Sequence, residues 1–491
     1  MWKIYLTVAA LYAGIALIPL VIPGTLTIVS LIIASALTLY YLAEAFRRGK
    51  RGLSFKRGLT ELSILMVVVP IALALVIFYE GCTRFPGLLN AILAFGLTLI
   101  TWNYMLMSPL AVYHKYRELQ EVGRPLLYRP LVSIIVPARN EERTIGATIE
   151  SILETDYEPK EVIVVDDAST DRTFEIASRY VGKKVKVLRR ESGGRGKASA
   201  LNFGVRFARG DVIVVVDADT LVGRRSITEL VRKFQDPEVS AVSGNVLVRN
   251  RVNLLTKLQA IEYILSFNFA RRALDVFGAV MIISGSFGGF RREVLFSTGM
   301  YDPDVVTEDF DITIKALKTG RIVQASSLAV AFTEVPKRLR DLYRQRMRWY
   351  RGAFEVLLKH RDALLNLRYG YLQRLVFPAL IMQLLVIPIV DVATVFSLAL
   401  GIVHGRFIPL LMQFALFSFI QFLIFLLSLQ IAGEEDLSLA ILPLFVVGYK
   451  QMHEAWMIKA LLDTIVARAR GERFEWGELE KEGLGYRAGP I

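Results

Sequence analysis

The residues best suited to chemistry in this chain are carboxylates that follow runs of valine and isoleucine. Asp166 and Asp167 end "EVIVVDD", and Asp217 and Asp219 end "DVIVVVDAD". A third acidic pair, Glu308 and Asp309, lies in "VTEDFDITIKALKTG", and "VSIIVPARNEE" brings Pro137, Arg139 and Glu141 to the end of another apolar run. Carboxylates this close repel one another, so each cluster calls for a divalent cation, a hydroxyl or an N–H beside it. Asp-x-Asp on one turn suits a hard cation that in turn holds a diphosphate, although by itself the pattern is common. Asp309 can act as a general base, or Thr307 and Asp309 can simply cap the helix that starts there, as Ser169 or Asp171 can cap another.

"GGRGKAS", Gly193 to Ser199, approaches a phosphate-binding P-loop and fails as one. Glu191 stands where the first glycine belongs, and Ala198 where a hydroxyl should follow Lys197. It reads as a glycine loop presenting Arg195 and Lys197 to phosphates, or as a solvated basic loop. Cys82 is the single cysteine, so thiol chemistry and internal disulfides are not expected. His114, His360, His404 and His453 have no metal-ligand spacing and are expected at a surface or interface.

The elements that must position these groups follow from the pattern. Short Val/Ile runs ("LVSIIVP", "EVIVVDD", "KVKVLRR", "DVIVVVDADT") alternate with amphipathic stretches such as "KASALNFGVRFA". Such alternation predicts an α/β, Rossmann-like domain with a mostly parallel sheet covered on both faces. Ligands of such sheets bind outside the carboxyl ends of the strands, where the acidic clusters stand.

On either side of this region the chain is strongly apolar; mean hydropathy over all 491 residues is +0.44. Ile4–Ile22, Leu26–Ala45, Ser63–Tyr79 and Leu88–Tyr113 each read as a membrane span, as do Leu375–Val403 and Ile408–Ile431. The basic loop "FRRGKRGLSFKRG" belongs on the cytoplasmic side, which returns the polar middle to the cytoplasm. The net charge of +13 then reflects loops facing anionic lipid and possible anionic substrates, and no nucleic acid is needed to explain it. Asp391, Gln383, Gln413 and Gln421 are polar residues within apolar runs. Asp391 either faces a path taken by a product or bonds a neighbouring helix.

Taken in order, "VSIIVPARNEE", "EVIVVDDASTD", "GKASALNFG", "VVVDADT", "ISGSFGGFRREVL", "TEDFDIT" and "QRMRW" resemble the membrane-embedded processive family-2 glycosyltransferases. These are the cellulose, chitin, hyaluronan and poly-N-acetylglucosamine synthases. The resemblance covers Pro130 to Gly352 and implies a GT-A fold, a nucleotide-sugar donor (usually UDP-linked), Mg²⁺ or Mn²⁺, and inversion at the anomeric carbon. By position, Pro137, Arg139 and Glu141 would line the nucleotide pocket, Asp166 and Asp167 would meet uracil or ribose, and Lys197 the phosphates. Asp217 would face ribose or the donor sugar, Asp219 with Asp217 would bind the metal, and Asp309 would be the base. Gln345, Arg348 and Trp349 match the family's Gln-x-x-Arg-Trp motif: Gln345 and Arg348 belong with the donor, and Trp349 with Ser284, Gly285 and Glu308 faces the acceptor. Arg344, Arg346 and Arg351 suit a membrane surface and need no further role. Thr-Glu before Asp309, in place of Gly-Asp, leans away from hyaluronan synthases.

The expected layout is a transmembrane region over 1–113, a cytoplasmic linker over 114–129 and the glycosyltransferase domain over 130–335. Amphipathic interface helices over 336–372, a second transmembrane region over 373–465 and a polar tail over 466–491 complete it. The expected partners are the nucleotide sugar, a glycan or lipid-linked acceptor and the bilayer. A lipid glycosyltransferase transferring one sugar is the alternative within enzymes. A transporter or sensor that only binds nucleotide is the alternative outside them.

Overall fold

The computed structural model describes residues 2–16, 85–182, 184–191, 196–364, 366–403, 405, 407–434 and 441–470. The second and third predicted spans, the basic loop between them, Cys82, Arg195, His404 and the tail beyond 470 lie outside the described residues. The chain divides into two units: Met1–Gln120 with Ile264–Phe277 and Gln373–Asp463, and Glu121–Tyr263 with Gly278–Leu372 and Thr464–Ile491.

The second unit is built on an eight-stranded sheet in the order β3-β2-β1-β4-β7-β6-β8-β5. The strands are β1 Val132–Ala138, β2 Lys160–Asp167, β3 Val185–Arg190, β4 Val212–Val216, β5 Leu221–Val222, β6 Val239–Val248, β7 Phe287–Arg291 and β8 Ile322–Thr333. β3, β2, β1 and β4 are parallel, as the Val/Ile runs predict. The other half corrects that expectation: β7 is antiparallel to both β4 and β6, and β5 to β8, while β6 and β8 are parallel. The sheet is therefore mixed. The sequence does not announce this strand, since "FGGFR" is too glycine-rich to read as one and follows the helices between Leu254 and Asp275.

Helix Gly196–Phe207 packs on β1 and β2, with Gly204 set against Ile135 and Val165. Helix Ser226–Lys233 covers β6 and β8. Val132, Ile134, Ile135, Val162, Val164, Val212 and Val214 are wholly buried, each such side chain contributing about 1.5–3 kcal/mol. This core fixes the carboxyl ends of β1, β2 and β4 on one edge. Because β7 runs antiparallel to β4, its first residue, Phe287, pairs with the last of β4, Val216. The segment before β7 therefore reaches the same edge, and Asp217 N–H donates to the Ser286 carbonyl at 3.3 Å.

The first unit is helical. It includes Trp2–Ala16, the part of helix Phe85–Glu121 up to Gln120, Ile387–Val403 and Phe407–Ala432. Among the described residues, Leu372–Val403 and Phe414–Ala432 are long and apolar enough to cross a membrane, at mean hydropathies of 2.3 and 2.2. Asp391 pairs with Lys450, which also lies 3.0 Å from Glu454, so Asp391 ties two helices together. The described histidines, His114, His360 and His453, are buried and not surface residues. His114 sits 2.7 Å from Asp275 and His453 is buried beside Tyr449 and Trp456, because a buried imidazole needs only one or two partners. In the second unit His360 is likewise buried, 2.9 Å from Asp311.

Candidate active site

The centre of the site is assembled around one residue, Gly285. Gly285 N–H donates to Asp309 Oδ2 at 3.0 Å, and the Gly285 carbonyl accepts from Lys197 Nζ at 3.0 Å. Lys197 Nζ also lies 2.5 Å from Asp217 Oδ1 and 3.4 Å from Glu308 Oε1. Four chain segments thus meet here: the start of helix Gly196–Phe207, the turn after β4, the segment before β7, and the start of helix Glu308–Lys318. Ser284 joins them through its hydroxyl, 2.8 Å from that of Ser286.

Helix Glu308–Lys318 has no side-chain cap. Asp309 Oδ1 accepts from the adjacent Phe310 N–H, while Oδ2 turns to Gly285. Thr307 Oγ1 is buried with no hydrogen-bond partner. Thr307 therefore does not cap the helix, whereas Asp309 takes one first-turn N–H with Oδ1 and reaches Gly285 with Oδ2.

Electrostatics sharpen the picture. Burial raises the Glu308 carboxyl above its ordinary range, Lys197 opposes the shift, and Asp309 adds to it. Burial lowers the Lys197 ammonium, yet Asp217, Glu308 and Asp309 together leave it well above its usual value. Burial also lowers the Arg348 guanidinium, against the pull of Glu308, Asp217 and Asp309. Two cations and three carboxylates therefore share one partly enclosed space, where charge interactions are stronger than in water.

The "DAD" turn is held from below: Thr148 Oγ1 donates to the Ala218 carbonyl at 2.8 Å. The Asp219 carboxylate accepts from the Thr220 hydroxyl at 3.3 Å. Tyr263, whose hydroxyl burial pushes up to about 12, lies in the field of Arg346, Glu262, Asp219 and Asp217.

A second group gathers at the ends of β1 and β2. Asn140 and Ala168 both have left-handed backbones, with φ of 54° and 56°. Their loops are locked together: Asn140 N–H donates to Ser169 Oγ at 3.0 Å, Thr170 N–H to Asn140 Oδ1 at 2.9 Å, and Glu141 N–H to Thr173 Oγ1 at 2.7 Å. Asp171 does cap locally, taking Thr173 N–H at 2.9 Å and Glu142 N–H at 3.1 Å, whereas Ser169 serves the clamp.

The carboxylates of β2 have cationic partners on β3 that the sequence pattern does not reveal. Arg190 Nη1 is 2.8 Å from Asp167 Oδ1, and Arg189 Nε is 3.6 Å from Asp166 Oδ2. Neither contact is aligned as a hydrogen bond, so both Asp166 oxygens and Asp167 Oδ1 stay buried without one. Burial raises Asp167; Arg190 and Arg139 pull it back. Pro137 lies within β1, opposite Val165, and Glu141 accepts from the Thr144 hydroxyl at 2.8 Å.

Helix Leu339–Lys359 carries the motif of Gln345, Arg348 and Trp349. Gly352, one turn on, lies against Thr307; a β-carbon there would come within 2.5 Å of the Thr307 methyl. Arg346 is wholly buried rather than spread on a membrane surface. Its guanidinium meets both oxygens of Glu262, at 3.0 and 2.9 Å, and donates to Gln345 Oε1 at 2.6 Å. It also stacks 4.2 Å from the centre of the Trp349 ring.

Residues 133–296 match the profile of Glycosyl transferase family 2. This chain carries a family-2 glycosyltransferase domain. The poly-β-1,6-N-acetyl-D-glucosamine synthase of Staphylococcus aureus is 34% identical over 229 residues, covering 46% of this chain and 56% of that protein. The synthase of the same name from Staphylococcus epidermidis is 31% identical over 277 residues, 52% of this chain and 66% of that one. The chain thus matches less than two thirds of these relatives' lengths. A mannosyltransferase of Pyrobaculum calidifontis, solved with GDP-mannose and Mn²⁺, superposes with a TM-score of 0.50 at 23% identity. The superposition covers 76% of this chain and 99% of that one. That likeness concerns the fold, and the mixed sheet of the glycosyltransferase domain fits the expected GT-A architecture.

Proposed function

We propose that this protein transfers sugar from a nucleotide-sugar donor, UDP-N-acetylglucosamine or UDP-glucose, to a growing β-linked polysaccharide at a membrane. The names of the staphylococcal relatives favour N-acetylglucosamine. The observation that carries the reading is the meeting of the Asp309 carboxylate, Lys197 and Gly285 beside the helix of Gln345, Arg348 and Trp349.

In this reading the acceptor hydroxyl lies against Asp309, which takes its proton as the oxygen attacks the anomeric carbon. The bond from that carbon to the diphosphate breaks on the opposite face, inverting the centre. Lys197 and Arg348 stabilise the charge that develops on the departing diphosphate. The buried oxygens of Asp166 and Asp167 that lack a hydrogen bond suit a base N–H or a ribose hydroxyl, with Pro137, Arg139 and Glu141 nearby in the sequence motif. Trp349 offers a flat face to a sugar ring, beside Glu308, Ser284 and Gly285.

Mg²⁺ or Mn²⁺ fits the donor set. Among the described residues no three His, Cys, Asp or Glu side chains are grouped to hold a metal unaided. Asp219 and Asp217 would supply hard oxygen ligands, and such cations take one or two carboxylates plus substrate phosphates. When bound, the cation offsets charge on the diphosphate. The two long apolar helices support a membrane location; in this reading the protein is multi-pass, its basic loop at 46–58 favours a catalytic domain on the cytoplasmic side, and the product is carried outward.

Asp309→Asn tests the reading. Donor binding should be unchanged, while transfer from UDP-N-acetylglucosamine with Mn²⁺ falls by about 10²–10⁴-fold. Surviving turnover removes Asp309 as the base. A product of one sugar on lipid, with no chain, overturns the polymer in favour of a lipid glycosyltransferase.

A further inference from the structure

About 100° of rotation per helical residue places Gln345, Arg348, Trp349 and Gly352 on one face of helix Leu339–Lys359, with Arg346 roughly a quarter turn away. That flank faces Glu262, near the end of helix Leu254–Tyr263. Arg346 is the largest wholly buried side chain in the described structure, and burying a guanidinium is costly unless it is fully engaged. It is engaged on every side: two bonds to Glu262, one to Gln345, and its flat face against Trp349. Tyr263, next to Glu262, shares the field of this pair and of Asp217 and Asp219.

We infer that Arg346 is a positioning residue for the acceptor side of the site, holding the Trp349 ring in place from an anchor on Glu262. The inference rests on the proposed transferase reading and adds to it a residue outside the Gln-x-x-Arg-Trp positions. Only a guanidinium serves, because one planar group must bond a carboxylate edge-on while stacking on an indole. An ammonium meets Glu262 but gives Trp349 no plane. Arg346 has no part in proton removal or diphosphate departure, so its loss should loosen acceptor binding more than it slows chemistry.

The test uses the purified full chain in detergent with UDP-N-acetylglucosamine, Mn²⁺ and a short β-linked N-acetylglucosamine oligosaccharide as acceptor. Arg346→Met is the primary variant, since Glu262 is partly exposed and water can replace its lost partner. Acceptor KM should rise about tenfold or more, with kcat falling less than about threefold, and product chains should shorten. Arg346→Lys, which keeps the charge opposite Glu262, should give an intermediate KM and a thermal midpoint near that of the parent. In a Trp349→Ala background, Arg346→Met should add little further change in KM. An unchanged acceptor KM in either Arg346 variant overturns the inference. So does a kcat loss with no shift in KM, and so do fully additive effects of Arg346→Met and Trp349→Ala. A parent protein that extends no acceptor with any nucleotide sugar sinks the transferase reading and this inference with it. An active parent beside an unaffected Arg346→Met sinks this inference alone.

Discussion

The backbone amide of Gly285 donates a 3.0 Å hydrogen bond to the carboxylate of Asp309. A β-carbon at 285 would lie 2.9 Å from Asp309 Oδ2 and 3.1 Å from Lys197 Nζ. Gly285→Ala should therefore push Asp309 and Lys197 apart without touching the apolar core. UDP release should fall by about 10²-fold or more, as expected when reacting groups move by an ångström. The thermal midpoint should hardly change, and a Gly285→Ala protein with ordinary turnover would show that this residue does not set the geometry.

Gly352 makes the second close approach. Alanine there would press on Thr307, with 2.5 Å to its methyl and 2.8 Å to its hydroxyl. Overpacking of this kind costs about 1–3 kcal/mol. Gly352→Ala should lower both the melting temperature and kcat, and Thr307→Ala in the same chain should recover much of each.

Glu308 gives a pH dependence whose sign is fixed. Its carboxyl is raised in the folded protein above the ordinary value of 4.5, chiefly by burial. The folded state then binds more protons than the unfolded one as pH rises from 4.5, so this group's contribution is complete below that value and is lost on rising through the folded pKa. Glu308→Gln should remove that part of the slope. Melting temperatures of parent and variant should converge at the acid end and separate as pH rises above the ordinary carboxyl value, the variant being the more stable. Parallel curves would refute the assignment.

Metal dependence should localise to the "DAD" turn. Chelation should abolish transfer, and Asp219→Asn should raise the half-saturating Mn²⁺ concentration by about tenfold or more, in the range seen when metal-site groups are altered. Melting temperature without metal should be the same for both proteins, because Asp219 itself is only half-buried, on a turn held by Thr148. An Asp219→Asn protein with unaltered metal response would move the ligand role elsewhere.

Much of this architecture is legible in the residues alone, and the reasons are local. The Val/Ile runs declare β1, β2 and β4, and a carboxylate directly after a buried strand can only stand at its end. Arg346 is different: an arginine beside tryptophan and tyrosine looks like a membrane-surface residue until Glu262, 84 residues earlier, is seen to meet it. Arg189 and Arg190 were likewise invisible as partners of Asp166 and Asp167, because only the register of β2 with β3 puts them opposite. β7 escapes notice since its glycines carry no strand signal, yet its reversed direction delivers Gly285 to the edge.

The clamp between the β1 and β2 loops has a thermodynamic consequence of its own. Asn140, Ser169, Thr170 and Thr173 fasten the two loops to each other through the fold itself. Binding a flexible loop immobilises side chains at about 0.5–1.5 kcal/mol each. Here folding has already removed that freedom, so a nucleotide bound as proposed between Asp167 and Arg139 would meet a rigid wall. Its affinity can then depend on fit rather than on ordering, and a poorly fitting base has no slack to exploit.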